Sequence, residues 1–270
     1  MDDREQARVA EAVEAAWMWS LAAHGDAAQD IGLSCLRVGG GVVWALRDDP
    51  TGGFFCRAVG QGIREPLTDA VLDELVEVAT AAGAPCVVLQ PSPYAVGNGV
   101  ARLLAEHGFS AGRTWEKLVR DTSPPPAAET DLRVEAIGPE LAEEYAVVTR
   151  AGFGLPDLLQ PLVVAEVSTP GWTAYGAFDG DRLVGAAALF VDGASGALSG
   201  AATVESHRGR GAQRALMARR IEDAARVGVL TLGTETGSET VDAPNPSLHN
   251  MRWAGFRTLY SRQNWIRTLP

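Results

Sequence analysis

The stretch "HRGRGAQRALMARRIEDAA", residues His207–Ala225, puts two glycines one residue apart among arginines and then runs on amphipathically without glycine or proline. The apolar strand-like segment "LSGAATV" precedes it. A strand therefore leads through a loose turn into the N-terminus of a helix. The first backbone N–H groups of a helix have no internal partner, and the helix dipole adds partial positive charge there. Gly209 and Gly211 permit unusual φ and remove side chains that would block a close approach. Arg208, Arg210 and Arg214 supply cations that can neutralise phosphates. This combination predicts a pyrophosphate cradle. A Walker loop is excluded because no lysine follows the glycines. A dinucleotide G-x-G-x-x-G is excluded because Arg214 stands at the third glycine position.

Composition narrows the ligand. The chain has 270 residues, 46% hydrophobic and 21% charged, as expected for one large or two ordinary globular domains. Its net charge of −11 repels phosphate backbones, so nucleic-acid binding is not expected. A local arginine cluster on an acidic protein points instead to a small anion. No apolar run approaches the about 20 residues that span a bilayer, and "MDDREQ" does not read as a secretory signal. No membrane partner and a cytoplasmic location are expected. Cys35, Cys56 and Cys86 form no C-x-x-C pair and read as small buried hydrophobes. The four histidines are scattered, so no metal site is expected.

"TSPPPAAET", Thr122–Thr130, cannot continue a helix or a central strand and reads as a linker. The domains expected are 1–122 and 131–270, with 123–130 between them. In the first, patterning predicts a helix at 3–23, strands at 33–47 and 53–61, a helix at 66–82 capped near Thr68, and the strand "PCVVLQ". A helix at 96–107 and a strand at 109–120 complete it. In the second it predicts strand 132–136, helices 139–151 and 156–167, and a hairpin turning at Asp179-Gly180-Asp181. Strand 197–204, helix 211–227, the buried strand "VLTLGTET", helix 247–254 and strand 256–267 follow. The halves rhyme: Gly108-Phe109 and Gly255-Phe256 each close a short helix before a strand, 147 positions apart. A degenerate tandem duplication follows. The corresponding stretch "QPSPYAVGNG" of the first half has no arginine, and that half is expected not to bind the same ligand.

The order strand, R-G-x-G loop, helix, strand and "NPSLHNMRWAGF" over 132–267 resembles the GCN5-related N-acetyltransferase (GNAT) superfamily. Arg208-Gly209-Arg210-Gly211 is similar to its acyl-CoA loop, continued by Ala212 and by Gln213 where the family has Gly or Ala. Asn245, Ser247 and Asn250 resemble its second cofactor segment. The whole chain resembles a tandem-GNAT protein with a decayed N-terminal copy. That implies an α/β fold of two tandem GNAT-like domains, each a mixed, mostly antiparallel sheet flanked by helices. It also implies acyl transfer from acetyl-CoA or another acyl-CoA to a small-molecule amine. The pantetheine arm would enter between splayed parallel strands at Ala201–Val204 and Leu230–Thr234, where Thr203 and Val204 join the cofactor set. Such a protein is expected to be a monomer or a homodimer.

The resemblance also sets the expectations for chemistry. By analogy the Val204 N–H stabilises the oxyanion. "GALSGAATV" carries no carboxylate, its polar side chains being Ser199 and Thr203, so Glu235 in "GTETG" is the candidate base. Met251 stands where the family often has an acidic tyrosine, which leaves Tyr260 as the substitute. Glu205 and His207 flank the loop and are expected to set its shape, and His249 to be a solvated helix residue. Phe153, Leu155 and Leu158 offer an apolar wall for the acceptor or plain core. Two other readings stay open. The thioester could sit on an acyl carrier protein as phosphopantetheine, docked on the arginine face at 208–220. Alternatively, the protein could bind acyl-CoA without catalysis.

Overall fold

The computed structural model describes residues 1–94, 97 and 99–270, so Ala95, Val96 and Asn98 of "QPSPYAVGNG" lie outside the described residues. The chain runs α1 (Asp3–Ala23), α2 (Ala27–Asp30), β1 (Leu33–Val38), β2 (Gly41–Leu46), β3 (Arg57–Val59), α3 (Asp69–Ala81), β4 (Cys86–Gln90), α4 (Val100–Glu106) and β5 (Ser110–Arg120). It continues as β6 (Arg133–Ala136), α5 (Ala142–Phe153), α6 (Gln160–Ala165), β7 (Trp172–Asp179), β8 (Arg182–Asp192), β9 (Ser195–Thr203), α7 (Ala212–Arg226), β10 (Thr231–Gly237), α8 (Pro246–Trp253) and β11 (Arg257–Thr268). The element order matches the expectation except for the short helix α2, for which no element was expected, and at 33–47. That span is a hairpin, not one strand: Gly39 and Gly40 both take positive φ (56° and 74°) and turn the chain so that Val38 faces Gly41. Two such residues make the tight turn that the right-handed twist of paired strands favours.

The chain forms two compact units. Their boundary does not follow the Pro-rich segment. Unit 1 comprises Met1–Lys117 together with Glu235–Thr240 and Thr258–Pro270, and unit 2 comprises Leu118–Thr234 and Val241–Arg257. The expected 131–270 domain therefore yields its last strand to unit 1. In unit 1 the strand order is β1-β2-β3-β4-β11-β5. β3 and β4 are parallel, whereas β1–β2, β2–β3 and β4–β11 are antiparallel. In unit 2 the order is β10-β9-β8-β7-β6, antiparallel but for the parallel β10–β9 pair.

Alternation along the unit 2 strands builds two cores. Ala174, Leu183 and Ala186 pack with Tyr145, Val148 and Val163 of the α5–α6 layer. Tyr175, Val184 and Ala187 pack with Leu216, Met217 and Ile221 of α7 and Leu248 of α8. Helices thus cover both faces of a mixed sheet, as a period-2 strand pattern with two buried faces requires. The sequence rhyme has a structural counterpart. After α4, Phe109 N donates to Leu104 O and Gly108 N to Ala105 O; after α8, Phe256 N donates to Met251 O and Gly255 N to Arg252 O. Both glycines are left-handed (φ 74° and 87°), so each helix ends in the same Schellman motif and feeds a strand.

Cys56 and Cys86 are buried and Cys35 half-buried, all as free thiols. Among the described residues no helix is long and apolar enough to cross a membrane.

Candidate active site

β9 delivers the chain to the glycine loop. After a 3-10 turn at Glu205–His207, Gly209 (φ 80°) and Gly211 (φ 81°) bend the backbone into α7. The two glycines serve different ends. A Cβ on Gly211 would stand 2.0 Å from the Glu129 carbonyl, so this position is needed for packing against the preceding segment. Thr130 Oγ1 ties the same segment to the loop by donating to Arg210 O at 2.7 Å. A Cβ on Gly209 would meet nothing within 4 Å, so space lies open beside it. No side chain caps the N-terminus of α7, which leaves its first-turn N–H groups for an anion.

The arginines divide the work. Arg210 does not present a free cation to phosphates. Its Nη1 donates to Asp179 at 2.7 Å, and its Nε (3.1 Å) and Nη2 grip both oxygens of Asp131. Those hydrogen bonds hold both carboxyls below their ordinary value. Asp179 also accepts from His207 Nε2 at 3.1 Å, and His207 Nδ1 lies 2.8 Å from Ser206 Oγ. His207 therefore braces the loop as expected. Arg214 donates to Asn250 at 3.0 Å and lies 5.0 Å over the Trp253 ring. Arg208 is exposed, and among the described residues it has no ion-pair partner. It is the cation left for a ligand.

The second cofactor segment is engaged within unit 2. Asn245 caps α8, accepting from Ser247 N at 3.0 Å and Leu248 N at 3.2 Å. Asn250 joins α8 to α7, since its amide donates to Gln213 Oε1 at 2.5 Å while its oxygen serves Arg214. Ala212 is buried in the α7 core. These side chains set where the loop sits, and His249 is exposed on α8.

The strand edge beside the loop departs from the expectation in detail. The β9–β10 ladder consists of three pairs, Thr231↔Ser195 to Gly233↔Ala197, after which Thr234 Oγ1 donates to Leu198 O at 3.1 Å. Leu230–Thr234 thus lies at the zipped end, and β9 has left the ladder from Ser199 to Thr203. Within that stretch the β8 register shifts, leaving Ala187 opposite Gly200 and Ala201 in a bulge. Gly200 has φ 41°, and a Cβ there would meet nothing within 4 Å. The Val204 N–H expected at an oxyanion instead donates to Val184 O at 2.9 Å.

The two expected catalytic side chains are engaged within unit 1. Glu235 and Tyr260 belong to unit 1, whereas the loop belongs to unit 2. Glu235 accepts from Arg57 at 2.7 Å and from Arg262, and Lys117 stands 3.7 Å away. Its lone pairs are held by fixed donors, which removes the free base that the sequence suggested. Tyr260 is buried and its hydroxyl donates to Glu11, which commits its proton within unit 1; burial, with the Glu11 charge, pushes that hydroxyl far up. Both belong to a buried cluster with Glu14, which accepts from Lys117 and from Arg262 at 2.9 Å. Burial would raise the Glu14 carboxyl, but Arg262, Lys117 and Arg57 outweigh it and hold it well below its ordinary value. Three carboxylates against three cations make this a neutral structural network. Of the apolar wall, Leu155 packs into the unit 2 core, whereas Phe153 (52%) and Leu158 (46%) are largely exposed.

Comparison with known proteins bears on this arrangement. Residues 140–250 match the acetyltransferase (GNAT) family. This segment is a GNAT domain. That family is one of acetyltransferases. The whole chain superposes on a GCN5-related N-acetyltransferase from Kribbella flavida with TM-score 0.65 at 16% identity, covering 97% of this chain and 96% of the other. A tandem GNAT protein from the clavulanic acid biosynthesis pathway gives TM-score 0.62 at 18% identity over 98% and 94%. A GCN5-related N-acetyltransferase from Sphaerobacter thermophilus gives 0.57 at 17% identity over 78% and 71%. No curated protein matches the sequence. At these identities the superpositions establish the fold alone.

Proposed function

We propose that unit 2 transfers an acyl group from acyl-CoA to the amine of a small molecule. The observation that carries the reading is the uncapped N-terminus of α7 behind Gly209, with open space beside that glycine and Arg208 exposed and, among the described residues, without an ion-pair partner. The residues fit a pyrophosphate by the chemistry of their donors: backbone N–H groups, helix dipole and one free guanidinium. The open edge of β9 from Ser199 to Thr203 offers backbone groups to pantetheine amides. Acyl-CoA, when bound, supplies a thioester. The amine nitrogen bonds to its carbonyl carbon, the C–S bond breaks, and the amine proton leaves to solvent or to the departing sulfur, giving an amide and free thiol. Proximity to an amine arriving neutral is the larger contribution.

A carrier-bound donor is less favoured. Of the arginine face at 208–220, Arg210 is paired with carboxylates, Arg219 with Asp223 at 2.9 Å, and Arg220 is buried. That leaves little positive surface for an acidic partner. The engagement of Glu235 and Tyr260 within unit 1 favours, as a second reading, binding without catalysis. Calorimetry with acetyl-CoA and thiol release with an amine panel test both. Gly209→Ala places a side chain in left-handed backbone without a clash, at about 1 kcal/mol in stability. CoA affinity is expected to fall at least tenfold, and Arg208→Ala to lower it severalfold in a salt-dependent way. Unchanged affinity in both variants would remove the loop from the site, and binding without thiol release would select the second reading.

A further inference from the structure

The buried face of α7 is apolar at Ala212, Leu216, Met217, Ile221 and Ala224, yet it includes Arg220, 1% exposed. A fully buried guanidinium ordinarily has a carboxylate beside it, because taking an unpaired charge out of water is unfavourable by several kcal/mol. Among the described residues no carboxylate lies within ion-pair distance of Arg220. Its donors go to three carbonyls instead: Nε to Leu216 at 3.1 Å on its own helix, and Nη1 to Ala188 at 2.9 Å and Ser199 at 3.1 Å. Burial lowers it only to about 10, with Tyr145 and Tyr175 opposing that fall, so it stays cationic at neutral pH.

The two strand carbonyls are not arbitrary. Ala188↔Ser199 is one of the two pairs that bound the bulge at Gly200 and Ala201, the other being Ala186↔Ala202. A bulge leaves a residue outside the ladder and re-aims the backbone around it. Along β9, Gly196–Leu198 are buried and Ser199–Ala201 are half-exposed, so the bulge is where the strand opens. A charge without a counter-ion, in a region of low dielectric, acts on its surroundings more strongly than a paired one.

We propose that Arg220 is a positioning residue for acyl transfer, whose charged guanidinium, through the Ser199 and Ala188 carbonyls, holds the Gly200–Ala201 backbone in line with the thioester carbonyl and polarises it. The role rests on the acyl-CoA reading of this site. The oxygen of an attacked thioester gains negative charge, and backbone donors fixed in advance stabilise it without reorganising. Arg220 supplies both the fixation and a positive potential behind those donors.

The test uses the full chain and acetyl-CoA carrying ¹³C at the acyl carbonyl, with difference infrared spectroscopy for the C=O stretch and calorimetry for affinity. In the wild type the stretch is expected to fall below its value in free acetyl-CoA. Arg220→Gln keeps hydrogen-bond donors but loses the charge; it is expected to lose at least half of that shift while affinity changes less than threefold. Arg220→Lys keeps the charge and is expected to keep most of the shift. An Arg220→Gln variant with the wild-type frequency overturns the role. Should that variant fail to fold, the lysine variant decides: folded with the shift kept, it supports the role; folded with the shift lost, it overturns it. Wild-type protein that binds acetyl-CoA with an unshifted carbonyl overturns the role of Arg220 alone. Wild-type protein that does not bind acetyl-CoA overturns the acyl-CoA reading itself.

Discussion

Single side chains in this protein are informative where their charge contradicts their neighbours. Arg220 lies in an apolar stripe of α7, and Glu11 and Glu14 lie in the buried stripe of α1 with Ala7, Ala10, Met18 and Leu21. A charge in register with an apolar face is a signal available in the sequence. Glu166 carries a further one. Tyr145 donates to it at 2.6 Å, and burial pushes its carboxyl from 4.5 up to about 7. In that interval the folded chain holds a proton that the unfolded chain has lost. Its contribution to stability is therefore full below about pH 4.5 and falls as pH rises through 7. Glu166→Gln should remove this decline, so that the variant gains on the wild type between pH 5 and 8 by at most about 3 kcal/mol. Urea unfolding at both pH values measures the difference.

At the scale of elements, helix ends place the site. α8 starts on the Asn245 cap, and the Asn250 one turn further along holds Gln213 and Arg214 of α7. Asn245→Ala removes an acceptor for two N–H groups and is expected to cost about 1 kcal/mol. If the cap also sets the loop through Asn250, acetyl-CoA affinity drops in the same variant; thermal unfolding and calorimetry on one preparation separate the two effects. The glycine loop was readable because its signal is local: two glycines, a strand before and a helix after. The partners of its arginines were not. Arg210 meets Asp131 and Asp179, which are 79 and 31 positions away in the chain.

For the whole molecule, the exchange of segments matters most. Unit 1 takes Glu235–Thr240 from between the two stretches of unit 2 and Thr258–Pro270 from after them. β4 pairs with β11 from Cys86↔Thr268 to Leu89↔Trp265, and Arg262 neutralises Glu11 and Glu14. A chain of residues 1–122 lacks that strand and that cation. It is expected to remain unfolded, which the dispersion of its amide NMR spectrum reports. In the full chain, Arg262→Met leaves buried carboxylates short of a partner and should destabilise by about 3–5 kcal/mol in denaturant unfolding.

The sequence by itself determined the elements, the glycine loop at 208–211, the rhyme of the two halves and the resemblance to GNAT proteins. Each rests on neighbours within a turn or a strand, where periodicity and backbone freedom act directly. Tertiary structure decided which unit owns the last strand, that Glu235 and Tyr260 are held in a buried network of ion pairs and hydrogen bonds, and that Arg220 lies behind the bulge of β9. Strand pairing and buried charge pairing join residues far apart in the chain. Their energies depend on burial and on the partner found there, and neither is written in local pattern.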